Sequence, residues 1–236
     1  MNLLESSSKT LTIDQYNLFS QVIVTYDEQL AFAMTERFLS EQHILPLKLR
    51  FKCASVQTYL QSLFSHSQDI FVKNHHFRLL SSHDRSILVR GQMKYLLLFS
   101  SSFIIEQTHL LDYLVFQKTI DTLFGRWIFI PNQLGSFDIP LIKFSLSMIC
   151  FSSFDYTRSP SSFINDRSSV QKCQDIYVEI LWQYLIHVYT EDKARKYVLN
   201  LIECFLRAMS NVNLLDQQDN FFDMVEIVIK QTEQSF

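Results

Sequence analysis

The chain has 236 residues, 47% of them hydrophobic and 14% aromatic, enough to bury a large core in one helical domain. Only three glycines and four prolines occur, which excludes the turn-dense all-β folds and the glycine-rich nucleotide-binding folds. The net charge of −3 comes from 21 basic and 24 acidic residues scattered along the chain, so no footprint for a nucleic-acid backbone is present.

Residues 1–10 read as a polar leader with neither the basic start nor the apolar run of a secretory signal, and an intracellular protein is expected. At Thr12 the pattern Thr-Ile-Asp-Gln predicts a capping box opening the first helix, whose apolar stripe is Phe19, Val22, Ile23, Tyr26 and Leu30. Pro46 interrupts the chain. From about Lys52 a helix of roughly twenty residues is expected, with Val56, Leu60, Leu63, Ile70 and Phe71 on one face. After a break from Asn74 to His83, Asp84 to Ile105 reads as a helix that turns apolar on every side from Tyr95 onward, and it should form the centre of the fold.

Thr108 to Phe124 is again helical in pattern. Arg126 to Pro131 leans towards β, so one small hairpin is expected there at most. Pro140 suits the first turn of a helix through Leu141, Phe144, Met148 and Phe151, and the serine-rich stretch from Ser152 to Ser169 reads as loop. Two strong helices follow, Ile176 to Val188 and Tyr197 to Met209, joined closely enough to pack antiparallel. A last helical stretch runs from Leu214 to Ile229, and residues 231–236 read as a polar tail.

Two segments carry a resemblance. Phe77, Leu80, Asp84, Leu88 and Val89 have the spacing of the signature that joins the third and fourth helices of nuclear-receptor ligand-binding domains, with Arg85 in place of the usual glutamine. Far downstream, Gln174 to Tyr184 resembles that family's ninth helix, and Arg195 with Leu206 and Arg207 resembles the ends of its tenth. The resemblance spans about residues 11 to 230. It implies an all-α, three-layer antiparallel helical sandwich and a regulatory, non-enzymatic domain that modulates transcription from the nucleus. Packing explains the signature: Phe77 and Leu80 plug a corner, Asp84 can cap the following helix, and Leu88 and Val89 enter the core.

The same resemblance implies an apolar pocket for a lipid or steroid-like ligand, lined by Leu60, Leu63, Leu97, Phe103 and Ile104. It implies a groove for coregulator peptides flanked by Lys73, Arg90 and Glu226, although Val72 holds the position where the family has its lysine. The Met224 to Val228 segment resembles the family's activation helix but falls where the eleventh helix belongs, so a separate activation helix is expected to be missing. Homo- or heterodimers with another receptor would form through Arg195, Leu201 and Phe205, on a helix with two apolar stripes. One runs through Tyr197, Leu201, Cys204, Phe205 and Ala208, and the other through Leu199, Ile202, Leu206 and Met209. Burial of that helix on both sides within one domain would explain the stripes equally well.

An alternative function on the same fold is a constitutive, ligand-independent dimerisation or repressor protein, favoured if Phe64, Phe99 and Phe103 fill the centre. A lipid carrier, with an open cavity and no groove, is a more distant alternative. No catalytic elbow, phosphate loop or dinucleotide fingerprint is present. His75, His76 and His83 read as solvated rather than metal-binding, and the four cysteines as buried thiols. No cofactor, no direct nucleic-acid contact and no membrane association are expected.

Overall fold

The computed structural model describes residues 11–124, 138–152, 163–215 and 219–236, and among them every regular element is helical. In chain order these are α1 (Ile13–Thr25), α2 (Glu28–Ile44), α3 (Cys53–Ser67), α4 (Asp69–Val72), α5 (His75–Leu79), α6 (Ser82–Gln107), α7 (Leu114–Phe124), α8 (Ile139–Cys150), α9 (Arg167–Val188), α10 (Glu191–Leu215) and α11 (Asp219–Glu233). Short 3₁₀ turns at Leu47–Leu49 and Leu110–Asp112 complete the set. The hairpin expected at residues 126–131 lies outside the described residues, as does most of the serine-rich stretch.

The capping box forms as read: the Thr12 hydroxyl accepts from the Gln15 amide at 3.2 Å and the Gln15 side chain accepts from the Thr12 amide at 2.9 Å. The first helix is shorter than its apolar stripe suggests. Tyr26 turns into the core, and the Asp27 carboxylate accepts from Leu30 N at 3.0 Å, opening the separate helix α2. Leu30 therefore belongs to α2 and is exposed. A side-chain cap overrides the apolar periodicity here because it satisfies amides that the stripe leaves open. The expected twenty-residue helix likewise divides at Gln68 into α3 and α4, and Asn74 caps α5 inside the expected break by accepting from Phe77 N at 3.0 Å.

Helix α6 is the centre, as its sequence implies. Every residue from Tyr95 to Ile105 is buried, and the helix packs against α2, α3, α8, α10 and α11. Two of its three consecutive serines find partners: Ser100 meets Ser67 of α3 at 2.8 Å, and Ser101 donates to the Leu97 carbonyl at 2.6 Å. Helix α8 begins with Pro140 in its first turn and bridges α6 to α9 and α1. One buried cation sits in this apolar helix: Lys143 pairs with Glu28 at 2.5 Å and also donates to the Ile23 carbonyl, tying α8 to the α1–α2 corner.

The last six residues are not a free tail. Thr232 is fully buried, and the Phe236 ring packs edge-on to Phe77 at 5.7 Å with the Arg85 guanidinium 4.6 Å from its centroid.

Candidate functional site

The two segments that carry the resemblance meet in space. The Tyr177 hydroxyl of α9 donates to the Asn74 side chain at 3.1 Å and contacts His76 Nδ1 at 3.2 Å, while its ring stacks on Phe151 at 5.4 Å. Burial pushes the Tyr177 hydroxyl well above the ordinary tyrosine range, so it acts as a neutral donor. Burial, and secondarily the neighbouring His75, holds His76 below the usual imidazole range. His76 is thus half-buried and partnered rather than solvated, and His83 Nε2 contacts the Phe163 carbonyl at 3.2 Å. Among the described residues no group of three potential metal ligands occurs.

Phe77 plugs the corner, fully buried and edge-on to Phe71 at 5.0 Å; Leu80 is half-buried; Leu88 and Val89 enter the core. Asp84 has a different task from the one expected. Ser81 caps α6, accepting from Asp84 N at 3.1 Å, and the buried Asp84 carboxylate instead accepts from Asn165 N at 2.7 Å and Asp166 N at 3.4 Å. It ties the start of α6 to the start of α9. Sequence reasoning places an acid at a helix N-terminus on that helix's own amides, and only the fold brings a distant backbone within reach.

The groove residues do not converge as a triad. Lys73 pairs with Asp69 on its own turn at 2.8 Å. Arg90 does meet a carboxylate of α11, but it is Glu233 at 2.5 Å rather than Glu226, and Ser86 donates to the same carboxylate at 2.5 Å. Glu226 lies two turns earlier and faces Lys230 at 3.6 Å. Phe221, Met224, Val225, Val228 and Ile229 bury the inner face of α11 against α3, α6 and α7. The surface beside Arg90 is thereby covered by the chain's own last helix.

All five expected pocket residues, Leu60, Leu63, Leu97, Phe103 and Ile104, are at most 2% exposed. A side chain with so little accessible area walls no void that a water molecule could enter. Aromatic rings occupy the space between: Phe99 stacks on Phe205 at 5.2 Å, Phe103 lies 6.2 Å from Phe32, and Phe64 meets Phe221 edge-on at 6.1 Å.

The dimer residues need correction. Leu201 is buried, and Phe205 is half-buried with its ring stacked inward on Phe99, so neither leads an exposed stripe; of the three, Arg195 is the exposed one, paired with Glu191 at 2.6 Å. The exposed apolar stripe of α10 is the other one, Leu199, Ile202 and Leu206, at 65%, 49% and 59% exposure. It runs between the Glu191–Arg195 and Glu203–Arg207 pairs. Both stripes were visible in the sequence, but which one faces α6 depends on the rotation of α10, which periodicity leaves free.

Two further features escaped sequence reasoning. Cys53 is exposed rather than buried, because α3 begins at its position on the surface. Asp138 caps α8 at Leu141 N and accepts from the hydroxyls of Tyr184 at 2.7 Å and Tyr189 at 2.8 Å, joining α8 to the far end of α9. A lone acid before Ile-Pro signals the cap but not the tyrosines. No protein-family model matches this sequence, and no curated protein matches it.

Proposed function

We propose that the chain is a nuclear-receptor-like regulatory domain that works as a constitutive, ligand-independent interaction protein, a three-layer helical sandwich acting on transcription in the nucleus through protein partners. The supporting observation is the filled centre. Apolar ligands of drug size require a cavity of about 300–1,000 Å³, whereas Leu60, Leu63, Leu97, Phe103 and Ile104 are sealed among the rings of Phe64 and Phe99. Helix α11, held at Arg90 and Ser86 through Glu233, also covers the surface that a coregulator helix would need, so such a peptide would have to displace it.

Partnering falls to α10. The stripe of Leu199, Ile202 and Leu206 flanked by ion pairs has the apolar centre and charged rim of a self-complementary helix pair, in a homodimer or with a related chain. Light scattering over a concentration series tests this. A dimer that becomes monomeric on Ile202→Asp is expected, while a wild-type chain that stays monomeric at all concentrations would remove this partner surface.

One observation favours a second reading, the ligand sensor. Gln92 is fully buried with both side-chain polar atoms unpartnered, and Ser102 and Ser147 have unpartnered hydroxyls in the same core. Such groups cost about 1–3 kcal/mol each unless something meets them, and a ligand's polar end would serve. Native mass spectra before and after denaturing extraction separate the two readings: a bound molecule of defined mass supports the sensor, and an empty chain supports the constitutive partner.

A further inference from the structure

We propose that the tip formed by residues 44–52, together with the start of α7, docks on an anionic lipid surface. Ile44 and Leu47 are 84% and 78% exposed, and Leu49, Leu114 and Val115 are exposed beside them. Tyr113 joins the two pieces, its ring lying 5.2 Å from Phe51 and 5.8 Å from His43. Side chains this exposed project outwards and line no groove, which suits insertion into a fluid apolar layer better than capture of a peptide.

The tip is held rigidly in this outward form. Arg50 donates to the carbonyls of Leu45 at 2.9 Å and His43 at 2.8 Å. Phe51 adopts a left-handed φ of 52°, a strained conformation for an aromatic residue, secured on both sides: its amide donates to the Gln42 side chain at 2.6 Å, and its carbonyl accepts from Thr119 at 2.7 Å. Polar bonds thus fix aliphatic residues in water, an arrangement that yields nothing in the isolated chain and serves a partner that takes them up.

Charge identifies that partner. No acidic residue occurs between Glu41 and Asp69, while Lys48, Arg50 and Lys52 lie in the tip and Lys118 stands on the neighbouring helix. Among the described residues none of the three lysines has a carboxylate within ion-pair distance, and Arg50 spends its hydrogen bonds on neutral carbonyls. Against them stand Asp112 and Asp121 of the α7 region, the former 4.0 Å from His109, and Glu41, which is paired with Arg37. Apolar prongs with cations around them match a bilayer bearing anionic headgroups. No helix among the described residues is long and apolar enough to cross a membrane, so the contact is with one leaflet, and it departs from the sequence expectation of no membrane association.

Co-sedimentation of the full chain with vesicles of phosphatidylcholine, with and without one-quarter phosphatidylserine, tests the proposal. Binding to the anionic vesicles alone is expected, weakened by high salt. Leu47→Ser with Leu49→Ser, and separately Lys48→Gln with Lys52→Gln, should each weaken it about tenfold or more. These side chains are exposed, so both variants should keep the wild-type circular dichroism and melting temperature. Failure to bind, equal binding to neutral vesicles, or binding that both folded variants retain would overturn the proposal. So would a concentration-dependent self-association abolished by the leucine variant, which would make a second copy the occupant.

Discussion

Removing the Asp84 carboxylate probes the junction between the two segments that sequence alone had linked. Its side chain is buried, and it is the acceptor for Asn165 N at 2.7 Å and, more weakly, for Asp166 N at 3.4 Å. A hydrogen bond to a buried charged group contributes about 1.5–3 kcal/mol, and the donor left behind loses its hydration as well. Asp84 also lies in the first turn of α6, where an acid favours the helix dipole by roughly 0.5 kcal/mol. Asp84→Ala should therefore destabilise the fold by about 3 kcal/mol, which for a chain of this size lowers the melting temperature by roughly 6–12 °C. Asp84→Asn retains one oxygen acceptor and should lose about half as much. Differential scanning calorimetry measures the shifts, and hydrogen exchange at the Asn165 and Asp166 amides reports the site. An alanine variant melting within about 2 °C of wild type, with unchanged exchange at those amides, would refute the assignment of Asp84 as the link between α6 and α9.

Two further outcomes follow from the same kind of accounting. Lys143→Met should cost about 3–5 kcal/mol, because it strands the partly buried Glu28 carboxylate, whereas adding Glu28→Gln should recover much of that loss in a double-mutant cycle read by urea denaturation. His76 titrates below its unfolded value, so the unfolded chain binds its proton first as pH falls. Stability should therefore decline from about pH 6.5 downwards until the folded imidazole also protonates, and His76→Gln should flatten the melting temperature between neutral and mildly acid pH.

Much of the molecule was legible one-dimensionally. The capping box at Thr12, the all-buried run from Tyr95 to Ile105, the Pro140 start of α8 and the near-continuous α9–α10 pair depend on contacts within a few residues, or on an apolar pattern that admits one environment. Such signals survive because local hydrogen bonding and hydrophobic periodicity are properties of the chain itself. The break at Asp27 is hidden in the sequence for a related reason: its cap is equally local, but the apolar stripe from Phe19 to Leu30 runs straight across it.

Contacts between distant surfaces depend instead on how the helices pack. The sequence offered Glu226 for Arg90, and the fold supplied Glu233 because the register of α11 against α6 is set by the fit of Met224, Val225 and Val228 into the core. It offered two stripes on α10, and the stacking of Phe205 on Phe99 chose the buried one and left Leu199, Ile202 and Leu206 in water. It placed Asp84 on its own helix, and packing brought the chain before α9 to it. Composition and periodicity determined that the chain folds as helices around α6; side-chain shape, which fixes rotation and register through close packing, determined which residues meet.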